Sequence, residues 1–199
     1  MTRHVVGLTG RKRSGKDTFA ARLIEKHGFT RVSLADPLRD LALAIDPWVV
    51  LEADELGLLY GPAQGLNAVF RVSTVRLAYI VESIGWERAK EIREVRRLLQ
   101  VIGTNGVRDV IGDRTWIELA ERTIASIPGN VVVTDVRFPN EAEVVEHVVR
   151  IMRPTLAPSF DLHPSETAMD GYLVDHQVTN DGTVEELHAQ ADHFAYLLS

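Results

Sequence analysis

One short stretch constrains this chain more than any other. Gly10-Arg11-Lys12-Arg13-Ser14-Gly15-Lys16-Asp17-Thr18 sets two glycines five positions apart, with Lys16 directly after the second. The apolar, β-branched run His4–Leu8 precedes it. Gly15–His27 follows, with Phe19, Ala20, Leu23 and Ile24 at helical spacing. A backbone that passes from strand to helix through glycines can wrap an anion with inward-pointing N–H groups. The helix N-terminus adds a partial positive charge, and Lys16 adds a point charge within reach of β- and γ-phosphates. The ligand this fits is a nucleoside triphosphate. Asp17 stands where Ser or Thr usually does. Its carboxylate is a hard oxygen ligand for Mg²⁺, direct or through water, but it also repels phosphate. Alternatively Thr18 contacts phosphate and Asp17 caps the helix, and both readings stay open.

The rest of the chain supplies the frame. Gly28 fits a helix C-cap, and Arg31–Leu34 reads as a second strand. Strand, glycine turn, helix and strand make a βαβ opening, which calls for a parallel sheet with right-handed crossovers. Between Ala35 and Ile127 almost no strand signal is found. Asp36-Pro37 opens a helix running to Ile45, and helical patterns resume over Val50–Tyr60, Val72–Ile84, Trp86–Gly103 and Thr115–Ile127. Gly61, Pro62, Gly65 and Asn67 mark a loop. Thr115 and Glu118 are spaced as a capping box. The sheet returns with Val131–Thr134, uniformly apolar as in a strand buried on both faces. Pro139–Glu146 reads as a short helix, His147–Met152 as the fourth strand and Leu173–Thr179 as the fifth. Thr183 and Glu186 box the start of a last helix reaching Leu198. Arg153–Tyr172, with three prolines, reads as a long loop or lid. The expected organisation is one domain, with a core at 1–46, 111–152 and 173–199, a helical insertion at 47–110 and a lid at 153–172.

Composition excludes several classes. With 28 acidic against 22 basic residues in 199, the formal charge is −6, which argues against coating a nucleic-acid polymer. The absence of cysteine removes disulfides, thiolate metal sites and cysteine nucleophiles. No apolar run approaches the roughly 20 residues a bilayer span needs, and Val5–Thr9 is too short for a signal peptide, so the expected compartment is the cytoplasm. Of the 22 basic residues only Lys12, Lys16, Lys26 and Lys90 are lysines. Arginine offers a planar fork for phosphate, although a GC-rich genome produces the same bias.

The loop, together with Ser33-Leu34-Ala35-Asp36-Pro37-Leu38-Arg39-Asp40, resembles the bacteriophage deoxynucleoside monophosphate kinases, P-loop kinases related in fold to adenylate kinase. The likeness continues in Arg96-Arg97-Leu98-Leu99-Gln100 with Gly103-Thr104, Asp135-Val136-Arg137 with Glu141, and Arg153-Pro154. It extends to His163 with Ser165-Glu166, and to Thr179-Asn180-Asp181-Gly182-Thr183 before Glu185-Glu186-Leu187. The stretch from about Val49 to Arg93 matches little. The resemblance implies an α/β P-loop NTPase fold, with a five-stranded parallel sheet in the order 2-3-1-4-5 and flanking helices. It implies transfer of the γ-phosphate of ATP, with Mg²⁺, to a deoxynucleoside monophosphate. The insertion would hold the acceptor and Arg153–Tyr172 would cover the donor. A homodimer is left open.

Transfer between phosphates needs positioning and charge neutralisation more than proton transfer. A phosphate monoester has a second pKa of about 6, so the acceptor is already anionic at neutral pH and no base motif is required. Asp135, ending the third strand, sits where an acidic Mg²⁺ ligand acts, directly or through water, since ligands bind outside strand C-termini in open α/β sheets. Arg137 should reach the acceptor phosphate, a pairing implied by the Asp-Gly-Phe-Pro-Arg segment of adenylate kinases. Ala35, Asp36 and Arg39 are assigned to the acceptor side by resemblance. Arg96 and Gln100 share a helix face, whereas Arg97 points about 100° away. One of the two arginines is therefore expected on phosphate and Gln100 on the base edge. Arg11 and Arg13 could meet the γ-phosphate or the acceptor, and Arg153 is the one lid arginine. Asn180-Asp181-Gly182 should wrap the adenine. Trp48, Trp86, Trp116, Tyr60, Phe70 and Tyr79 could stack a base, or fill a core. His163 and Glu166 have no assigned role. Two rival functions remain: an animal-type phosphomevalonate kinase, which shares a Lys-Ser-Gly-Lys-Asp loop, and a nucleotide-triggered switch without an acceptor.

Overall fold

The computed structural model describes residues 3–61, 72–156 and 167–198. The chain divides into two compact units, Met1–Ala35 with Trp116–Ser199, and Asp36–Thr115.

The first unit is built on a parallel sheet. Its strands are β1 (Val5–Thr9), β2 (Thr30–Val32), β5 (Val131–Val133), β6 (His147–Met152) and β7 (His176–Thr179). Their spatial order is β2-β5-β1-β6-β7, the expected 2-3-1-4-5, and every pairing is parallel. Side chains alternate across the sheet. Val6, Leu8, Val132, Val149, Ile151 and Val178 face one core, shared with Phe19, Ala20 and Leu23 of α1 (Lys16–His27) and with Leu187, Ala191 and Phe194 of the C-terminal helix. Val5, Val131, Val133 and Val148 face the other, shared with Ala120 and Ile124 of α6 (Thr115–Ser126). Burial on both faces explains why these strands read as apolar runs rather than alternating ones. Gly7 has no room for a side chain, because a Cβ would lie 2.9 Å from methyls of Val136 and Val145.

Helix ends follow local chemistry. Gly28 closes α1 in the left-handed region (φ 69°) as expected. The C-terminal helix, α7 (Val184–Leu197), begins with the expected box: Glu186 N donates to Thr183 Oγ1, and Thr183 N donates to the Glu186 carboxylate. The other expected box is not formed. Thr115 Oγ1 instead donates to Gly112 O (2.9 Å). The short helix after β5 is a 3₁₀ segment, Pro139–Val144.

The second unit corrects the purely helical reading. It contains a β-hairpin, β3 (Trp48–Glu52) antiparallel to β4 (Val72–Arg76). In β3 only Val49 and Leu51 are buried, a period of two. The remaining elements are α2 (Asp36–Ile45), α3 (Leu56–Tyr60), α4 (Leu77–Ala89) and α5 (Arg93–Gln100), which runs on into a π-helical stretch, Val101–Arg108. Gly85, at φ 72°, kinks α4. The unit has its own core, with Ala42, Val49, Leu51, Leu77, Ile80, Ile92 and Val95 fully buried. Glu55, 5 % exposed, accepts from the backbone of Glu52 and Arg93 and so ties hairpin to α5. No helix among the described residues is long and apolar enough to cross a membrane.

Candidate functional site: the glycine loop and its supports

Residues 10–18 connect β1 to α1 through an unusual backbone path. Gly10 and Gly15 have φ of 139° and 103°, and Arg13 has φ 66°. A non-glycine residue in that region costs roughly 1–2 kcal/mol, a strain typical of ligand-holding segments. Neither glycine tolerates a side chain. A Cβ on Gly10 would lie 2.3 Å from Ile151 O, and one on Gly15 would lie 2.5 Å from Asn180 Nδ2. Ser14 N donates to Arg11 O (3.1 Å), which closes the turn, and Phe19 N donates to Gly15 O (3.0 Å), which starts α1.

Two polar groups stand out in the loop. Ser14 is 1 % exposed, yet its Oγ has no hydrogen-bond partner. Buried hydroxyls are rarely left so. Lys16 Nζ donates to Gly10 O (2.6 Å) and Arg11 O (2.9 Å), so its charge rests on the carbonyls of its own loop. Arg11, Lys12, Arg13 and Asp17 are exposed, and Thr18 is half-buried. Arg11 reaches the Asp170 carboxylate across 3.4 Å, an exposed pair of little energetic weight.

Asn180 supports the loop rather than ending in a free turn. It is buried, its Nδ2 donates to Ser14 O (2.8 Å) and its backbone N to Met152 O (2.7 Å). Asp181 and Gly182 are exposed.

Asp135, just beyond β5, bridges to the segment after β2. Its Oδ1 accepts from Leu34 N (2.8 Å), and its Oδ2 accepts from Ser33 Oγ (2.7 Å) and Ala35 N (3.0 Å). Two oxygens offer about four acceptor positions, so one remains for a metal or a water. Arg137 is exposed, and its backbone is fixed by Glu141. That carboxylate is 4 % exposed and accepts from Arg137 N (2.7 Å) and Phe138 N (3.1 Å). In the sequence Ser33 and Glu141 stand out only as parts of motifs, whereas Asn180 is expected on the adenine. The spacing of Glu141 from Arg137, across a proline that opens the 3₁₀ turn, was the available signal for its role.

The residues expected on the acceptor side fall mainly in the second unit. Only Ala35 and Arg137 belong to the first. Arg39 Nη1 donates to Asp36 (3.1 Å), its Nη2 lies 3.6 Å from Glu87, and its guanidinium lies 5.9 Å from the Trp86 ring centre. Arg97 makes a two-pronged bond to Glu94, at 2.7 Å on each prong. Those bonds hold the Glu94 carboxyl below its usual range. Arg96 is exposed and Gln100 half-buried, four residues apart on α5. Trp116 is buried on α6 in the first unit, while Trp48 is 58 % exposed and covered on one side by Arg76 (4.5 Å to the ring centre). Arg153 is exposed after β6. Phe70, His163, Ser165 and Glu166 lie outside the described residues.

A glycine loop joining the first strand of a 2-3-1-4-5 parallel sheet to a helix, with a lysine opening that helix, defines a P-loop NTPase fold. The model of the deoxynucleotide monophosphate kinase family matches residues 62–191. That is well over half of the chain, and the chain belongs to this family. Similar proteins span nearly its whole length. The deoxynucleoside-5′-monophosphate kinase of Escherichia phage T5 is 25% identical, covering 88% of this chain and 89% of its own. The deoxynucleotide monophosphate kinase of Escherichia phage RB69 is 28% identical, covering 94% and 98%. A protein of Acanthamoeba polyphaga mimivirus is 27% identical, covering 94% and 93%.

Proposed function

We propose that this chain transfers the γ-phosphoryl group of ATP to the phosphate of a deoxynucleoside monophosphate, giving the diphosphate and ADP. The observation that carries the donor half is the loop. Its glycines admit no Cβ, Ser14 Oγ is buried without a partner, and Lys16 rests on carbonyls that a polyphosphate can replace. Family membership supports the acceptor half, and it favours a nucleotide over the mevalonate-type acceptor.

In this reading, loop residues Gly10–Thr18 cradle the β- and γ-phosphates, and Lys16 moves from Gly10 O and Arg11 O onto their oxygens. An acceptor phosphate oxygen attacks Pγ in line. The bond from Pγ to the β,γ-bridging oxygen breaks, and ADP leaves with the electron pair. Arg13 and Arg11 offset charge on the transferring group. Arg137, its backbone pinned by Glu141, holds the acceptor phosphate. Arg39, Arg96 or Arg97 would add charge there, Ala35 and Asp36 would line the approach, and Gln100 would meet the base edge. Arg153 and Asn180-Asp181-Gly182 would lie along the nucleoside of ATP, with Asn180 also fixing the loop through Ser14 O. The donor set suits Mg²⁺, since Asp17 and Asp135 are hard oxygen ligands and Asp135 keeps one acceptor position open. When bound, that ion would neutralise charge on the β- and γ-oxygens.

The test is ADP formation from ATP and Mg²⁺ with each deoxynucleoside monophosphate, each ribonucleoside counterpart, and no acceptor. ADP should appear only with a monophosphate, and faster with the deoxy forms. Equal ADP with and without acceptor would refute the reading.

A further inference from the structure

The end of the sheet opposite the phosphate loop gathers a second set of reactive side chains, which the proposed reaction does not use. β1 and β6 are parallel neighbours, with Val6 paired to His147, so their first residues stand side by side. His4 directly precedes β1, Glu146 directly precedes β6, and His147 opens β6. His4 Nδ1 lies 3.5 Å from Glu146 Oε2, and the His4 and His147 ring centres are 5.8 Å apart. One ligand atom from each of the three residues falls within 4.8 Å of the others.

The backbone beneath them is fixed on several sides. His4 N donates to Asn130 Oδ1 (2.9 Å), Val131 N donates to His4 O (2.9 Å) and Glu146 N donates to Val5 O (2.8 Å). Within this frame His4 Nδ1 is shut off from solvent and makes no hydrogen bond. A buried ring nitrogen without a partner is uncommon, and here it faces a carboxylate and a second imidazole. A cation between them would give His4 Nδ1 a partner and add a ligand to Glu146 Oε2, which already accepts from Val5 N at 3.3 Å.

We propose that His4, Glu146 and His147 bind a divalent transition-metal ion of the zinc type, separately from the phosphate loop. Two imidazoles and one carboxylate suit Zn²⁺ and its first-row neighbours and are poorly matched to Mg²⁺ or Ca²⁺. Three protein ligands leave a fourth position for water. A groove lined by Arg3, Glu121, Ile124 and Glu146 runs beside the carboxylate. β1 separates this site from the loop by about 17 Å, taking five residues at about 3.3 Å each. The ion would tie β1 to β6 and raise thermal stability without entering catalysis.

The test titrates ZnCl₂ into chelator-treated full-length protein, without nucleotide and in millimolar Mg²⁺, by calorimetry. Absorption of the Co²⁺ form reports geometry. The expected result is one ion per chain, a four-coordinate Co²⁺ spectrum and a higher melting temperature with Zn²⁺. Changes to outer partners alone weaken metal sites about 10–100-fold, so His147→Asn and Glu146→Gln should each weaken binding more than about tenfold. Glu146 is half-exposed, which keeps a folded variant available should the histidine change unfold the chain. Lys16→Ala should bind Zn²⁺ unchanged while losing activity. No Zn²⁺ binding would overturn the proposal and leave His4 and Glu146 as an ion pair. So would binding insensitive to both substitutions, which would place the ion on another histidine.

Discussion

Asp135→Asn separates two roles that the sequence merges in one carboxylate. The side chain accepts from Leu34 N, Ser33 Oγ and Ala35 N, so it clamps the chain after β2 to the end of β5. An amide in its place keeps one oxygen. The least disruptive orientation leaves that oxygen on Leu34 N and turns the amide nitrogen toward Ser33 Oγ, while Ala35 N falls back on its second acceptor, Ser33 Oγ at 3.2 Å. The Ser33 hydroxyl hydrogen, which had donated to the carboxylate, must then turn to another acceptor, and three bonds to an ionised acceptor give way to bonds among neutral groups. Bonds to charged groups contribute about 1.5–3 kcal/mol and neutral ones about 0.5–1.5, so the loss is about 1 kcal/mol each, or about 3 kcal/mol together. At about 2–4 °C per kcal/mol for a chain of this size, the melting midpoint should fall by about 6–12 °C. Circular dichroism melts at neutral pH measure this, and activity against Mg²⁺ concentration is measured on the same samples. A variant that melts within a degree of the parent yet needs far more Mg²⁺ would refute the clamp and make Asp135 a metal ligand first.

Four further outcomes are expected. Lys16→Ala should lower turnover by orders of magnitude with little change in melting, since its hydrogen bonds to Gly10 O and Arg11 O lie within its own loop; near-normal turnover would remove it from the mechanism. Gly15→Ala should abolish ATP binding in equilibrium titrations, because φ is 103° and the new methyl carbon would sit 2.5 Å from Asn180 Nδ2; an ATP affinity within twofold of the parent would contradict the cradle. Arg137→Ala should raise KM for the monophosphate and leave ATP affinity largely intact, and the reverse pattern would reassign it to the donor. Asp192 accepts from Arg22, Lys26 and His27, at 2.8, 2.7 and 2.8 Å, which join α1 to α7 and hold its carboxyl far below the usual range. A carboxyl depressed in the folded state stabilises fully above its unfolded pKa of about 4 and loses that contribution as pH falls further. Acid melts of Asp192→Asn should therefore be flatter below pH 4 than those of the parent, and parallel curves would refute the assignment.

The parallel sheet was legible because four of its five strands are bounded by a breaker: Gly10 after β1, Gly28 before β2, Gly129-Asn130 before β5 and Asn180-Asp181-Gly182 after β7. The hairpin was not. β4 passes directly into α4 at Leu77 with no glycine or proline between them, so the β-branched run Val72–Val75 was absorbed into the helical period that follows. Trp48–Glu52 carries a true alternation, but its partner lies 20 residues downstream at closest, beyond the range of local turn signals. The site shows the same division. Residues whose role is set by sequence neighbours, such as Gly10, Gly15 and Lys16, could be read from spacing. Asn180 could not, because the group it serves, Ser14 O, is 166 positions away.

The resting place of the Lys16 ammonium has a consequence for ligand discrimination. Any incoming anion must outbid two short bonds to carbonyl oxygens before it gains the lysine. Chloride or a lone phosphate offers little to compensate for that exchange, whereas a chain of linked phosphates can occupy the amide cradle and the ammonium together. In the proposed reading, a side chain bonded in this way would set a threshold that favours linked phosphates over small anions.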